Sequence, residues 1–331
     1  MRKVRHATQA FFLFLTVLTG YRFYLFMSQF GSDTAEFVTR PPSVDAFMPI
    51  AGFMSLKYFI FTGIIEPIHP AAFIMFLAIV TVSLVAKKGF CGWICPIGTI
   101  SQYFWMAGEK LFGKNFIMSK QYDIPVRSLK YLLMGMFILL IGVAMTPNMM
   151  VLFFITDYYK TIDVRTMQVF TQMSTLTLIV LLVIGAFSLF YKNFWCRYLC
   201  PYGALLGLVS SASPAKIKRD NDKCIDCKAC TKACPSAIEV SEQDIVHSPE
   251  CLGCTTCLSH CPEEGALEMT VRAGKDRKPF KPVLFPIALI VSFYLIIGIG
   301  VLTENWHSKM HPEEYERVIT DIGKEHSESG Q

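Results

Sequence analysis

Charge is scarce in this chain. Asp, Glu, Lys and Arg make up only 17% of its 331 residues, 53% are hydrophobic, and the mean hydropathy is +0.41. These values exclude an ordinary soluble composition. Cysteine is absent outside four short motifs. All twelve cysteines fall in segments expected on the reducing side of a membrane or at its boundary, which argues against a disulfide framework despite the even count. No Cys-x-x-Cys-His occurs, so covalent haem is excluded by that test. Neither a Walker motif nor a Rossmann glycine fingerprint is present, and the sequence offers no nucleotide site. The N-terminus has basic residues before an apolar run but no small-x-small cleavage site, so it reads as an uncleaved first span.

What is present is long apolar sequence. Five segments are expected to cross a bilayer, roughly Ala10–Phe30, Pro70–Ala86, Leu129–Thr146, Met173–Tyr191 and Pro282–Leu302. The second and third are short, which bilayer thinning or snorkelling flanks can accommodate. The net charge of +5 follows from topology rather than from a nucleic-acid surface. With the N-terminus inside, the inner segments hold Arg2, Lys3 and Arg5, the series from Lys87 to Lys130, Lys192, Arg197 and the basic residues from Lys216 to Lys281. The outer segments hold only Arg40, Lys57, Lys160, Arg165, Lys309, Arg317 and Lys324. This asymmetry predicts the N-terminus and the large inner segment in the cytoplasm and the C-terminus outside. A further apolar stretch, Ala46–Ile64, is broken by Pro49, Gly52, Lys57 and Gly63, and spanning would place Lys87 and Lys88 outside. It is expected to form an interfacial or re-entrant helix.

Two of the motifs read Cys-x2-Cys-x2-Cys-x3-Cys-Pro: Cys224, Cys227, Cys230 and Cys234 before Pro235, then Cys251, Cys254, Cys257 and Cys261 before Pro262. Three cysteines in such a turn wrap three corners of an iron–sulfur cubane, and the fourth, just before proline, reaches the neighbouring cluster. On that rule one 4Fe–4S cluster takes Cys224, Cys227, Cys230 and Cys261, and the other takes Cys251, Cys254, Cys257 and Cys234. A pair of zinc sites is the structural alternative. The surrounding segment is richer in charge, and AKIKR (215–219) and ALEMTVR (266–272) read as strands flanking the motifs, with 238–248 a turn-containing connector. A domain this small needs metal as a staple. Over some seventy residues it resembles bacterial two-cluster ferredoxins, which implies one-electron carriers.

The other two motifs are FCGWICPIGTI (90–100) and WCRYLCPYGAL (195–205), which repeat one pattern. Each follows a span entering the cytoplasm and precedes one leaving it, so the membrane part reads as a tandem repeat that brings the two motifs near each other. If a helix runs through the motif, Cys91 and Cys95, and likewise Cys196 and Cys200, share one face; proline then ends that helix or opens the next. Four such thiols suffice for a further cluster or a metal, and packing cysteines at a tight turn are the alternative. Together with the ferredoxin-like insert, this pair resembles the membrane polyferredoxins, including the integral-membrane quinol dehydrogenase subunit of periplasmic nitrate reductase systems and the membrane half of the nitrous-oxide reductase regulator. The resemblance implies electron exchange between quinone and a partner subunit or periplasmic reductase, in a bacterial inner membrane. The chain departs from these relatives in showing no outer segment large enough for the regulator's flavin domain.

Four polar residues complete the reading. Arg22 lies within the first span, where a charge needs a partner or water. Glu66 and His69, in EPIHP, and Asp157 are expected in the outer layer, where quinol oxidation would release protons. Helix capping and turn chemistry beside Pro67 and Pro70 are the favoured reading of Glu66 and His69. His307 and His311 on the outer tail are read as ordinary exposed histidines.

The expectation is therefore a mainly α-helical integral membrane protein with about five transmembrane helices and an inserted small α+β dicluster ferredoxin-like domain. Residues 1–212 form a membrane domain, 213–281 the cytoplasmic insert, and 282–331 the last span with a periplasmic tail. Its partners are membrane lipid, quinone or quinol and a redox protein, with no nucleic acid. Copper handling for a respiratory enzyme and membrane redox sensing are the rival functions.

Overall fold

The computed structural model describes residues 1–31, 38–273, 276–311 and 313–320. Its helices are α1 (Arg2–Ser28), α2 (Pro49–Thr62), α3 (Pro70–Val85), α4 (Gly89–Trp93), α5 (Pro96–Phe112), α6 (Lys120–Phe137), α7 (Pro147–Phe154), α8 (Asp157–Lys160), α9 (Ile162–Thr171), α10 (Thr175–Phe190), α11 (Pro201–Ser211), α12 (Ala229–Lys232), α13 (Thr256–Ser259) and α14 (Leu284–Leu302). One three-stranded antiparallel sheet, β1 (Ala215–Arg219), β2 (Leu267–Ala273) and β3 (Asp276–Pro279), lies between α11 and α14 in the chain.

All five expected spans are helical. By length and composition three qualify as spans among the described residues: α1, the stretch Gln121–Ala144 and α14. The bent pair α9 and α10, at 77°, adds a fourth if it counts as one, and α3 is a shorter apolar helix. The third expected span begins nine residues early, at Lys120, and carries Pro125 inside the helix, where its missing N–H leaves the Gln121 carbonyl without that intrahelical bond. It continues as a π-helical segment, Ile138–Ala144. The stretch 46–64 yields only the 14-residue α2, started by Pro49 at its first position and ended by Gly63 in the left-handed region (φ 72°). Lys57, which interrupts its apolar run, donates to the Ile141 carbonyl at 2.9 Å and to that of Met145, closing the otherwise open end of the π segment.

The chain forms two compact units. The first comprises Met1–Phe14, Ile79–Gly135 and Val180–Tyr294; the second comprises Leu15–Ala78, Met136–Ile179 and Leu295–Gln331. The chain passes from one to the other within α1, α3, α6, α10 and α14. Apolar side chains are buried along most of α3, from Ala71 to Ile79 and at Val82, whereas α10 exposes Leu176 and the run Leu178–Val183. Such a continuous exposed apolar surface marks a face covered by lipid or by another protein.

Within the first unit, β1 pairs with β2 from Ala215–Val271 to Arg219–Leu267, bringing together the strands that flank both long cysteine motifs. β2 falls one residue later than expected. β3 was not legible, since DRKP carries no alternating apolar pattern; it forms by pairing with β2. The connector 238–248 contains one 3₁₀ turn, Val240–Glu242, and a bridge from Ile245 to Lys218.

Candidate iron–sulfur centre

The two long motifs fold into matching cradles. In the first, Asp226 and Lys228 take left-handed backbone (φ 56° and 58°); in the second, Gly253 and Thr255 do (φ 59° and 56°). These positions are equivalent, two and four residues after the first cysteine. Each cradle runs into a one-turn helix, α12 or α13, whose N-cap is the second left-handed residue. Alternating right- and left-handed residues turn successive N–H groups inward, a concavity that suits an anionic cluster.

Cys224, Cys227, Cys230 and Cys261 line one hollow, and Cys234, Cys251, Cys254 and Cys257 line another. Each hollow therefore takes three cysteines from one motif and the last from the other. Among the described residues no group of three or more His, Cys, Asp and Glu side chains lies close enough to hold a single metal ion. Four thiols line each hollow, the number of ligands that a cubane takes. Burial pushes the Cys251 and Cys257 thiols up, and Cys234 to about 12, so ligation there requires metal to draw the proton off. Lys87, 1% exposed, leaves its ammonium without a hydrogen-bond partner, in electrostatic range of Cys251. A buried orphan cation beside Cys251 fits an anionic group held there. The residues present thus fit a 4Fe–4S cluster in each hollow.

The two short motifs are built alike, and neither is a continuous helix. Cys91 lies in α4, which ends before Cys95; Cys95 then caps α5, with Pro96 at its first position. Cys196 lies in a π-helical turn, Trp195–Leu199, and Cys200 caps α11 ahead of Pro201. Proline therefore opens the next helix, and the second sulfur of each pair sits at its N-terminus, where N–H groups favour a thiolate. The Gly203 N–H donates to Cys200 Sγ at 3.2 Å. A side chain at Gly98 would put Cβ 2.2 Å from the Cys91 carbonyl oxygen, so only glycine lets the two helices fold back this closely. All four cysteines are in electrostatic range of one another, and Cys91, Cys196 and Cys200 are in range of Lys88. Burial holds the Cys91 and Cys196 thiols up, and Cys95 to about 11.

The second hollow, which Pro235 and Ser236 help to line, is fastened to both short motifs. From the first motif, the Lys88 N–H donates to the Cys251 carbonyl at 3.3 Å, and the Trp93 indole to that of Gly253 at 3.1 Å. Arg5 donates to Gly92 O at 3.3 Å, Thr256 Oγ1 at 2.8 Å and Gln102. Beside the second motif, Asn193 donates to the Pro235 carbonyl at 3.2 Å and Arg197 to that of Ser236. Arg197 is itself clamped on Asp123 by two bonds of 2.9 Å. Glu250, next to Cys251, takes the Lys88 ammonium at 3.3 Å and that of Lys130 at 2.5 Å. Burial would raise its carboxyl pKa, but Lys88 and Lys130 hold it down at about 2. The first cradle is more open: Cys227 is exposed, and Arg219, which reaches Cys224 Sγ at 3.7 Å and Asp226 at 3.4 Å, belongs to the insert itself.

Of the four polar candidates, the structure brings together two. In the second unit, Glu66 accepts from the backbone of Ile68 (2.8 Å) and His69 (2.7 Å) and from the Tyr159 hydroxyl (2.9 Å). His69 contacts the Tyr159 carbonyl at 3.0 Å through Nε2, and its Nδ1 lies 3.4 Å from Asp45. Arg40 completes the cluster, bonding Asp45 and, at 2.8 Å, Asp163. Burial raises the Glu66 pKa; for His69 burial acts downward, but Asp45 outweighs it and the pKa rises. Arg22 is exposed, and Asp157 is exposed and pairs with Arg317 at 3.2 Å. Asp45, Arg40, Asp163, Lys87, Lys88, Glu250, Arg5 and Arg197 escaped the sequence reading, because only the fold brings such scattered residues together; their one signal was charge within apolar surroundings.

Comparison with known proteins agrees with this geometry. A "4Fe-4S binding domain" model matches twice, at residues 68–115 and 173–220, each copy holding one short motif. A "4Fe-4S dicluster domain" model matches 216–277. The chain is 37% identical over 319 residues to the putative electron transport protein YccM of Escherichia coli K12, covering 95% of this chain and 89% of that protein. It is 26% identical over 191 residues to the ferredoxin-type protein NapH of the same organism, covering 55% and 62% of the two chains. With the regulatory protein NosR of Stutzerimonas stutzeri it shares 26% identity over 242 residues, 67% of this chain and 30% of that one. No solved structure matches. The chain belongs to the membrane-associated ferredoxin-type electron transport proteins.

Proposed function

We propose that this chain carries single electrons between the quinone pool and a partner redox protein, through a 4Fe–4S cluster in each cradle of the insert and a third at the four cysteines of the short motifs. The observation that carries this reading is the pair of hollows with exchanged fourth cysteines, the second bonded to both short motifs. A bound 4Fe–4S cluster takes up and returns one electron. The chain's residues provide position and charge. Of the cysteines that line the first hollow, Cys227 is exposed and Cys224 and Cys261 are half-buried, so a soluble partner can approach there. Trp93 and Arg5 hold the Cys251 cradle to the first short motif, Asn193 and Arg197 hold the segment after Cys234 to the second, and the lysine pair 87–88 supplies positive charge to both sets. The order of transfer is then first cradle, second cradle, short motifs, or the reverse.

The membrane placement rests on charge. Every described basic residue assigned inside by the sequence belongs to the first unit, and those assigned outside belong to the second. We therefore retain five spans in a bacterial inner membrane, the insert (213–281) in the cytoplasm and the C-terminus in the periplasm. Quinol gives up protons along with electrons. The buried Glu66, its pKa raised, and the polar cluster around it are the chain's best placed proton-holding groups on the outer side.

The test is electron exchange under anaerobic conditions. Purified protein reduced by a quinol analogue and reoxidised by quinone supports the reading, and Glu66→Gln should slow reduction by quinol while leaving reduction by dithionite unchanged. Iron-replete protein inert toward both quinol and quinone removes the quinone link.

A further inference from the structure

We propose that a cavity of about 610 Å³ in the first unit binds a phosphate-bearing anion beside the second cradle. The inference rests on the reading of that cradle as a cluster site only for its redox consequence. Ligand pockets commonly enclose about 300–1,000 Å³, so the cavity is large enough for a small molecule or headgroup. Its walls carry Arg2 and Arg5 from α1, Lys110 from α5, Lys192 after α10 and Lys232 from α12, against a single acid, Glu109. Cys254 and Thr256 of the second cradle also line it.

An independent observation points to a missing acceptor. Trp105 lines the same cavity, and its indole N–H is buried without a hydrogen-bond partner. The Lys192 ammonium lies over that ring, 5.2 Å from its centre. Arg5, 7% exposed, is fixed by Gly92, Thr256 and Gln102, yet keeps uncommitted N–H groups on both terminal nitrogens. The site is therefore rich in donors and poor in acceptors. A phosphate, acceptor-only and anionic, matches it in charge and in hydrogen bonding. An anionic phospholipid headgroup and a free organic phosphate offer the same chemistry, and basic pockets at the cytoplasmic ends of spanning helices suit the former. An anion bound next to Cys254 disfavours adding an electron there and lowers the midpoint potential of the second cluster.

The test uses full-length protein in detergent. Native mass spectrometry with phosphatidylglycerol or phosphatidylcholine forms one arm, and titration with glycerol 3-phosphate, read by tryptophan fluorescence against Trp105→Phe, forms the other. Retention of phosphatidylglycerol alone identifies a lipid source; saturation by glycerol 3-phosphate identifies a soluble one. In the double variant Lys110→Gln/Lys232→Gln, two exposed side chains, whichever ligand binds should bind about thirtyfold more weakly. Binding of neither ligand, or equal binding by the variant, overturns the proposal. Adduct mass needs no iron, so iron-free protein that still retains the lipid contradicts the cluster reading alone.

Discussion

The two long cysteine motifs share spacing, left-handed positions and a one-turn helix, yet they live in different surroundings. The motif beginning at Cys251 is largely buried and tied by Trp93, Arg5 and Lys88 to the segment that carries the first short motif, while Asn193 and Arg197 tie the far end of the other motif, at Pro235 and Ser236, to the second. The motif beginning at Cys224 exposes Cys227, and its sulfur contact comes from Arg219 within the insert. Spacing thus sets the shape of a cradle, while residues a hundred or more positions away set its environment. Because burial and nearby charge tune a cluster, one sequence pattern written twice can serve two stations of a path: one a surface terminal, the other an interior relay.

The comparison breaks most sharply at the ligands. Cys224→Ser should cost about four iron atoms per chain and leave the second cradle protected. Cys251→Ser should cost the same iron and also loosen the insert, seen as faster proteolysis of the 214–281 segment. Equal proteolysis of both variants erases the distinction.

Next comes acid. Glu250 is held at about 2 by Lys88 and Lys130, below its ordinary value near 4.5. A depressed carboxyl contributes stability that is present above the unfolded value and is lost as pH falls toward 2, here about 3 kcal/mol. Acid bleaching of the second cluster's visible absorbance should therefore span that window, and Glu250→Gln should bleach at higher pH. A variant that tracks the wild type refutes the role.

A smaller effect is expected at Trp93→Phe, which leaves the Gly253 carbonyl without its donor and costs about 1–2 kcal/mol. Hydrogen exchange should quicken across 251–257 but not across 224–230. The subtlest change is at Lys87→Gln: removing the buried cation should lower the second cluster's midpoint potential and leave the first unmoved, as read by EPR-monitored titration. A shift in both would mean that the lysine does not distinguish the cradles.

Much of this was legible in the sequence. The Cys-x2-Cys-x2-Cys-x3-Cys-Pro runs carried the cradles, and AKIKR carried β1 to the residue, because alternation and metal spacing are local signals. The apolar segments located five helices, but not the π segment at 138–144 or the 77° bend between α9 and α10, which depend on packing and on Lys57 as a distant cap. The Cys-x3-Cys-Pro pairs suggested a shared helical face; in the fold the prolines open new helices, and chain reversal brings the cysteines within electrostatic range of one another. Arg22 drew attention as a charge in a span yet turned outward, whereas Lys87 and Lys88, which resembled an ordinary positive-inside flank, became buried counter-charges. Burial of a charge is a tertiary property, and no local pattern announces it.

The central claim is tested most directly by iron and acid-labile sulfide analysis of anaerobically purified wild-type protein. Three cubanes predict about twelve of each per chain, falling to about eight in Cys91→Ser/Cys196→Ser. Colourless protein, or zinc in place of iron at the insert's eight cysteines, contradicts the account.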